Sequence, residues 1–193
     1  MKKTISITFA LGLCLPSSLF SQSVGGAWEQ GLQFTGAQTN DQFGGSLAIG
    51  PDMDGDGYPE MAVGLLGHRD SLNRTVGAVW LMSGRTGQVL WTYEPAYVFD
   101  NAGVGEELSF MPDITGDGVA DVICSSERAL STKGKVTILS GLDGAFVREH
   151  QGTTGYISGT GQQMGHKIVG LPDMDGDGFG DYAYSADRSD GPG

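Results

Sequence analysis

Apolar residues in this chain fall in short blocks separated by glycine-rich and polar stretches. Met61-Ala62-Val63-Gly64-Leu65-Leu66 is nearly continuous, the pattern of a strand covered on both faces. Ahead of it lie Phe43-Gly44-Gly45 and Ser46-Leu47-Ala48-Ile49. After it come Gly77-Ala78-Val79-Trp80-Leu81-Met82-Ser83-Gly84, a turn ending at Gly87, and Gln88-Val89-Leu90-Trp91-Thr92-Tyr93. Four short strands divided by turn residues predict one antiparallel sheet.

The order then recurs. Val104-Gly105-Glu106, Val122-Ile123-Cys124, the run from Gly134 to Gly141, a turn ending at Gly144 and Phe146-Val147 make a second copy; Met164-Gly165-His166 and Tyr182-Ala183-Tyr184 begin a third. Each opening stands nine residues before the same aspartate: 43 to 52, 104 to 113, 164 to 173. From that aspartate to the third-strand glycine is 25 residues in the first copy and 21 in the second, and the excess falls in a variable loop at 68–75, where a repeat architecture tolerates insertion. The same spacing puts the third strand of the last copy near residue 194, so the chain reads as ending within a repeat. Upstream, 24–38 holds one strand-like run around Trp28 and Leu32 to Phe34, readable as the last strand of a sheet closed from elsewhere.

Between the first two strands of each copy lies an acidic stretch. Residues 52–60 read Asp-Met-Asp-Gly-Asp-Gly-Tyr-Pro-Glu, 113–121 read Asp-Ile-Thr-Gly-Asp-Gly-Val-Ala-Asp, and 173–181 read Asp-Met-Asp-Gly-Asp-Gly-Phe-Gly-Asp; the starts are 61 and 60 residues apart. Oxygen-bearing side chains occupy positions 1, 3, 5 and 9, and glycines at 4 and 6 let the backbone curl and aim them at one point. Calcium takes about 6–8 oxygen ligands at about 2.3–2.6 Å, so a short loop must supply several carboxylates and a backbone carbonyl; position 7 (Tyr58, Val119, Phe179) is where that carbonyl is expected. An EF-hand needs a chelating Glu at position 12 and flanking helices. Here position 12 is Val63, Cys124 and Tyr184 in strand-like runs, which excludes it.

Composition sharpens this reading. Glycine is 33 of 193 residues, more than twice the usual share of about 7%, as a turn-dense chain requires. Lys2 and Lys3, an apolar run from Ile5 to Leu15, Pro16, and small residues at Ser21 and Ser23 have the order of a secretory signal peptide over 1–23, too short to span a bilayer as a mature helix. Its removal takes two lysines and no acid, moving the net charge from −12 to −14. That balance argues against nucleic acid or anionic membranes as partners, since both call for a basic face. Eleven of the 23 acidic residues lie in the three loops, so the acidity is concentrated where a cation would neutralise it. The mature chain keeps one cysteine, Cys124, which excludes an intrachain disulfide framework and reads as a small buried filler. Asn73-Arg74-Thr75 matches a glycosylation acceptor. His68, His150 and His166 carry no repeated carboxylate or serine partner in the sequence, so no catalytic constellation is expected.

Phe43-Gly44-Gly45, the Asp-x-Asp-Gly-Asp-Gly loops and the period of about 60 resemble FG-GAP repeats over roughly residues 38–193, the units of the seven-bladed β-propeller of integrin α subunits and many secreted bacterial proteins. The opening Phe-Gly is kept only in the first copy. The resemblance implies an all-β partial propeller of about two and a half four-stranded antiparallel blades: an N-terminal strand segment at 24–40, blades at 41–98 and 99–158, and an incomplete one at 159–193. It implies Ca2+ ligands at Asp52, Asp54, Asp56 and Glu60, at Asp113, Thr115, Asp117 and Asp121, and at Asp173, Asp175, Asp177 and Asp181. It further implies a non-catalytic, secreted or surface protein (the periplasm included), with no transmembrane segment, that recognises a protein or carbohydrate ligand. The remaining blades would lie outside this chain. Gly77 to Trp91 also resembles the blade motif of quinone-dependent dehydrogenase propellers, where the aromatic residue docks one blade on the next; that reading, or a propeller portion of a larger secreted enzyme, is the alternative.

Overall fold

A computed structural model describes residues 5–6, 33–34, 36, 40–96, 103–153 and 161–187. The expected leader lies outside these residues apart from a short strand, β1 (Ile5–Ser6), which pairs antiparallel with β2 (Gln33–Phe34). Twelve strands are described and almost no helix, and no helix among the described residues is long and apolar enough to cross a membrane.

The apolar blocks become strands. The first sheet is β3 (Phe43–Ile49), β4 (Met61–Leu65), β5 (Ala78–Met82) and β6 (Val89–Tyr93), in that spatial order and antiparallel throughout. The second repeats it with β7 (Leu108–Met111), β8 (Asp121–Ser126), β9 (Lys135–Leu139) and β10 (Phe146–Gln151). The third has two described strands, β11 (Met164–Leu171) and β12 (Asp181–Ala186). β4 and β8 are buried along their whole length, as continuous apolar runs require, whereas β12 is half-buried to exposed.

The sheets stack face to face. β7 packs on β3 and β4, and β11 on β7 and β8. Parallel bridges join successive sheets at equivalent places, Gly77 to Val104 and Gly134 to Met164. The residue ahead of each opening glycine differs in kind but is buried each time, Phe43, Val104 and Met164, so an apolar anchor survives where the Phe-Gly pair does not. One core fills the space between the first two sheets, with Ala62, Val79, Leu81 and Trp91 against Val104, Leu108, Val122, Cys124 and Leu139. Cys124 is fully buried and its thiol is pushed up to about 12 by that burial, which leaves it an inert filler. Phe34 of β2 lies against Gly87 just as Trp91 lies against Gly144, so β2 occupies the place of a last strand from a preceding sheet. The arrangement is propeller-like, with no closed ring among the described residues.

The stretch after β8 holds a single turn at Ala129–Thr132 whose inner residues are left-handed, Leu130 at φ 56° and Ser131 at φ 59°. It fills the position that the 68–75 loop fills in the first sheet.

Candidate metal centres

Each acidic loop joins the first two strands of its sheet, and the three share one set of hydrogen bonds. The position-1 aspartate turns the backbone around itself: Asp52 accepts the N–H of Gly55 (2.7 Å) and Gly57 (2.8 Å), Asp113 that of Gly116 (2.6 Å) and Gly118 (2.7 Å), Asp173 that of Gly176 (2.6 Å) and Gly178 (2.9 Å). The position-5 aspartate accepts the N–H of position 7 at 2.9 Å in all three, from Tyr58, Val119 and Phe179. Both glycines are left-handed every time, from φ 79° at Gly116 to φ 91° at Gly178, and a Cβ on any of the six would meet nothing within 4 Å. Backbone conformation, not space, selects glycine there.

Position 9 stands at or just before the start of the next strand and turns its carboxylate back under the loop. Glu60 Oε2 accepts the N–H of Met53, Asp121 Oδ2 those of Ile114 (2.8 Å) and Thr115 (3.1 Å), and Asp181 Oδ2 that of Met174 (2.7 Å). The oxygens then converge. Asp52, Asp54, Asp56 and Glu60 each place one within 4.8 Å of the others; so do Asp113, Asp117 and Asp121, and so do Asp173, Asp175 and Asp177. Thr115 joins its cluster through a hydroxyl 3.1 Å from Asp113 Oδ1. Asp181 stands outside the third group, which gathers three carboxylates where four are expected. In the second sheet the other oxygen of Asp121 is fixed by the N–H of Gly141 at 3.0 Å, and no strand described beside Asp181 supplies that anchor.

These donor sets fit a hard cation. Ligand oxygens around one calcium are at most about 5 Å apart, and each carboxylate oxygen that accepts one N–H keeps a second lone pair. The first loop carries a further mark: Glu60 is wholly buried, and its Oε1 has no hydrogen-bond partner, a costly state for a carboxylate that lacks a counter-charge. Burial, with Asp54, Asp52 and Asp56 adding repulsion, raises its pKa; burial likewise raises that of Asp121. For Asp113 burial pulls upward, but the N–H groups of Gly118 and Gly116 prevail and hold it below the usual range, and those of Gly178 and Gly176 do the same for Asp173.

The histidines have partners that sequence reading missed. His68 is buried with Nε2 2.7 Å from Glu94 Oε1, His150 Nε2 is 2.6 Å from the Tyr182 hydroxyl, and His166 Nδ1 is 3.2 Å from Glu127 Oε2. All three contacts bridge residues 26 or more positions apart, with no local pattern to announce them. The same loop that carries His68 is closed by Asp70, whose carboxylate takes the Arg74 side chain; the guanidinium holds its pKa below the usual range.

Fold and site together define an all-β, propeller-like protein whose sheets each carry an acidic loop able to hold a metal ion. No family model matches the chain. It is similar to integrin alpha-2 of Bos taurus, 27% identical over 160 residues that make up 78% of this chain, and it spans 14% of that protein's length.

Proposed function

We propose that the chain is a secreted or surface-exposed, non-catalytic β-propeller segment of the FG-GAP type. Calcium bound in its three acidic loops serves structure, and its variable loops support adhesion or recognition of a protein or carbohydrate ligand. The observation that carries the reading is the recurrence of one loop geometry three times, together with the buried, unpartnered Oε1 of Glu60. Similarity to integrin alpha-2 supports the adhesive side of it. The full ligand sets would be Asp52, Asp54, Asp56 and Glu60; Asp113, Thr115, Asp117 and Asp121; and Asp173, Asp175 and Asp177 with Asp181 drawn in. The carbonyls of Tyr58, Val119 and Phe179 complete them. The ion supplies charge neutralisation that the protein's own groups do not, and the chain supplies curvature and preformed carboxylates.

The first loop, with four converged carboxylates, is the tightest. Extracellular calcium modules bind with dissociation constants of about 10⁻⁴–10⁻³ M, so at millimolar calcium each filled loop adds on the order of 1 kcal/mol. Thermal unfolding in 1 mM calcium against excess chelator tests this. A rise of roughly 5–10 °C is expected for three sites in a domain of this size, and Glu60→Ala should remove the largest share. Identical melting with and without calcium would end the proposal.

A further inference from the structure

The turn between β9 and β10 lies between the second acidic loop and the first sheet, and it is bonded to both. On the loop side, the Gly141 N–H donates to Asp121 Oδ1 (3.0 Å), and the Ser140 hydroxyl lies 3.3 Å from Asp117 Oδ2. Two carboxylates of the second cluster therefore hold one turn. On the other side, the Trp91 indole N–H donates to the Gly141 carbonyl (2.8 Å), a buried bond between residues 50 positions apart. The indole also lies flat on Gly144, where a Cβ would stand 2.6 Å from Trp91 Cε3. At Gly141 a Cβ would fall 1.7 Å from the Ala120 carbonyl oxygen and 2.4 Å from Met53 Cε of the first loop. The turn has no room to shift without moving Ala120, the neighbour of Asp121.

We infer that Trp91 and the Ser140–Gly141 pair are positioning residues for the second metal centre: filling that loop fixes the turn, and the turn fixes Trp91 across the seam between the first two sheets. The inference rests on the calcium reading of the loops. Three carboxylates facing one another in the metal-free loop repel, and Asp117 and Asp121 are the two that reach the turn. A cation that draws them together sets where the Ser140 hydroxyl and Gly141 N–H must stand, and through the Gly141 carbonyl it sets the indole. Coupling runs equally in reverse, so loss of the indole donor weakens calcium at the second loop although Trp91 touches no ligand.

The full chain with Trp28→Phe and Trp80→Phe leaves Trp91 as the sole indole. Calcium chloride titration is read by its emission and, in parallel, by calorimetry. A shift of Trp91 emission that saturates with calcium, and that Asp117→Ala removes while Asp54→Ala spares, is expected. In the otherwise native chain, Trp91→Phe keeps a ring on Gly144 but loses the donor, and should weaken one of the calorimetric sites about threefold to tenfold, the scale of one net hydrogen bond. Calcium binding with unchanged emission, or with Trp91→Phe at parental affinity, overturns the coupling and leaves the calcium reading intact. Absence of any calorimetric binding overturns both.

Discussion

The two seams between successive sheets use the same backbone positions for opposite chemistry. Between the first and second sheets, Trp91 and Tyr93 of β6 face Val122 and Cys124 of β8, and the space is closed with Trp91 only 8% exposed. Counting from the turn glycines Gly87 and Gly144, Arg148 and His150 of β10 stand where Trp91 and Tyr93 stand. Tyr182 and Tyr184 of β12 replace Val122 and Cys124. There the seam holds a cavity of about 620 Å³ bordered by Arg148, His150, Phe179, Tyr182 and Tyr184. Tyr182 and Tyr184 stack loosely and His150 is tilted against both, with centroids 5.6–6.5 Å apart. The second seam has an apolar core as well, Met111, Ile123, Val136 and Ile138 against Met164 with Ile168, Tyr182 and Ala186 packed on it. The repeat therefore specifies backbone, loop and an apolar seam, whereas the side chains at these facing positions decide whether the remaining space is filled.

The largest consequence falls on Trp91. Trp91→Ala removes a buried indole and orphans the Gly141 carbonyl, and should cost about 3–5 kcal/mol. Arg148→Ala, at the matching position of the open seam, should stay within about 0.5 kcal/mol because an exposed side chain beside a cavity leaves nothing unpaired. Urea unfolding of the two variants compares the seams directly. Equal losses would mean that the second seam is as closed as the first.

A smaller effect separates loops from seams. Gly116 lies in the loop of the second sheet and Gly176 in that of the third, and both are left-handed with empty space around a would-be Cβ, φ 79° and φ 82°. Gly116→Ala and Gly176→Ala should therefore each cost about 1–2 kcal/mol, the penalty of a left-handed Cβ alone. A much larger loss at Gly116 would show that strain in the loop spreads through the Ser140–Gly144 turn into the core.

How much of this was legible beforehand follows from what kind of contact each feature needs. The strands were readable because apolar blocks such as Met61 to Leu65 end at glycines and prolines, and β4 and β8 are buried on both faces as their unbroken runs demand. The convergence of Asp52, Asp54, Asp56 and Glu60 was readable because spacing within nine residues fixes it once the glycines are left-handed. The exclusion of an EF-hand is seen in Val63, Cys124 and Tyr184, which lie inside strands. The place of Asp181 outside its cluster was not readable, because nothing in the nine-residue pattern sets it apart from Glu60 and Asp121. Nor was the bond from Trp91 to Gly141, since nothing local marks two residues 50 apart as partners. The recurrent Ser-Gly of Ser83-Gly84 and Ser140-Gly141 marks the turn but not its contact.

The weakest effect expected distinguishes the seams by pH. At the far rim of the open seam, His166 of β11 lies between Glu127, just past β8, and Asp187, just past β12, with Nδ1 3.2 Å from one carboxylate and Nε2 3.7 Å from the other. Lys167 beside it pairs with Glu107 of the second sheet, so charge at the rim adds to the apolar packing of Met164 and Ile168 between these two sheets. Only the imidazolium has an N–H on both nitrogens. The hydrogen bond to Glu127, then the charge of Asp187, raise the pKa of His166 above its ordinary 6.5. A base whose folded pKa is raised stabilises the fold fully below the unfolded value and loses that contribution as pH climbs through the folded one. The melting temperature of the parent should therefore exceed that of His166→Gln at pH 5.5, and the gap should close as pH rises past 6.5 and through the raised value. High salt should shrink it, because the group is exposed and screened. Trp91→Phe, on the closed seam, should show no such dependence over the same range. A His166→Gln gap that stays constant with pH would mean that the imidazole works there by packing rather than by charge, and a gap that widens with pH would mean that the fold favours the neutral ring.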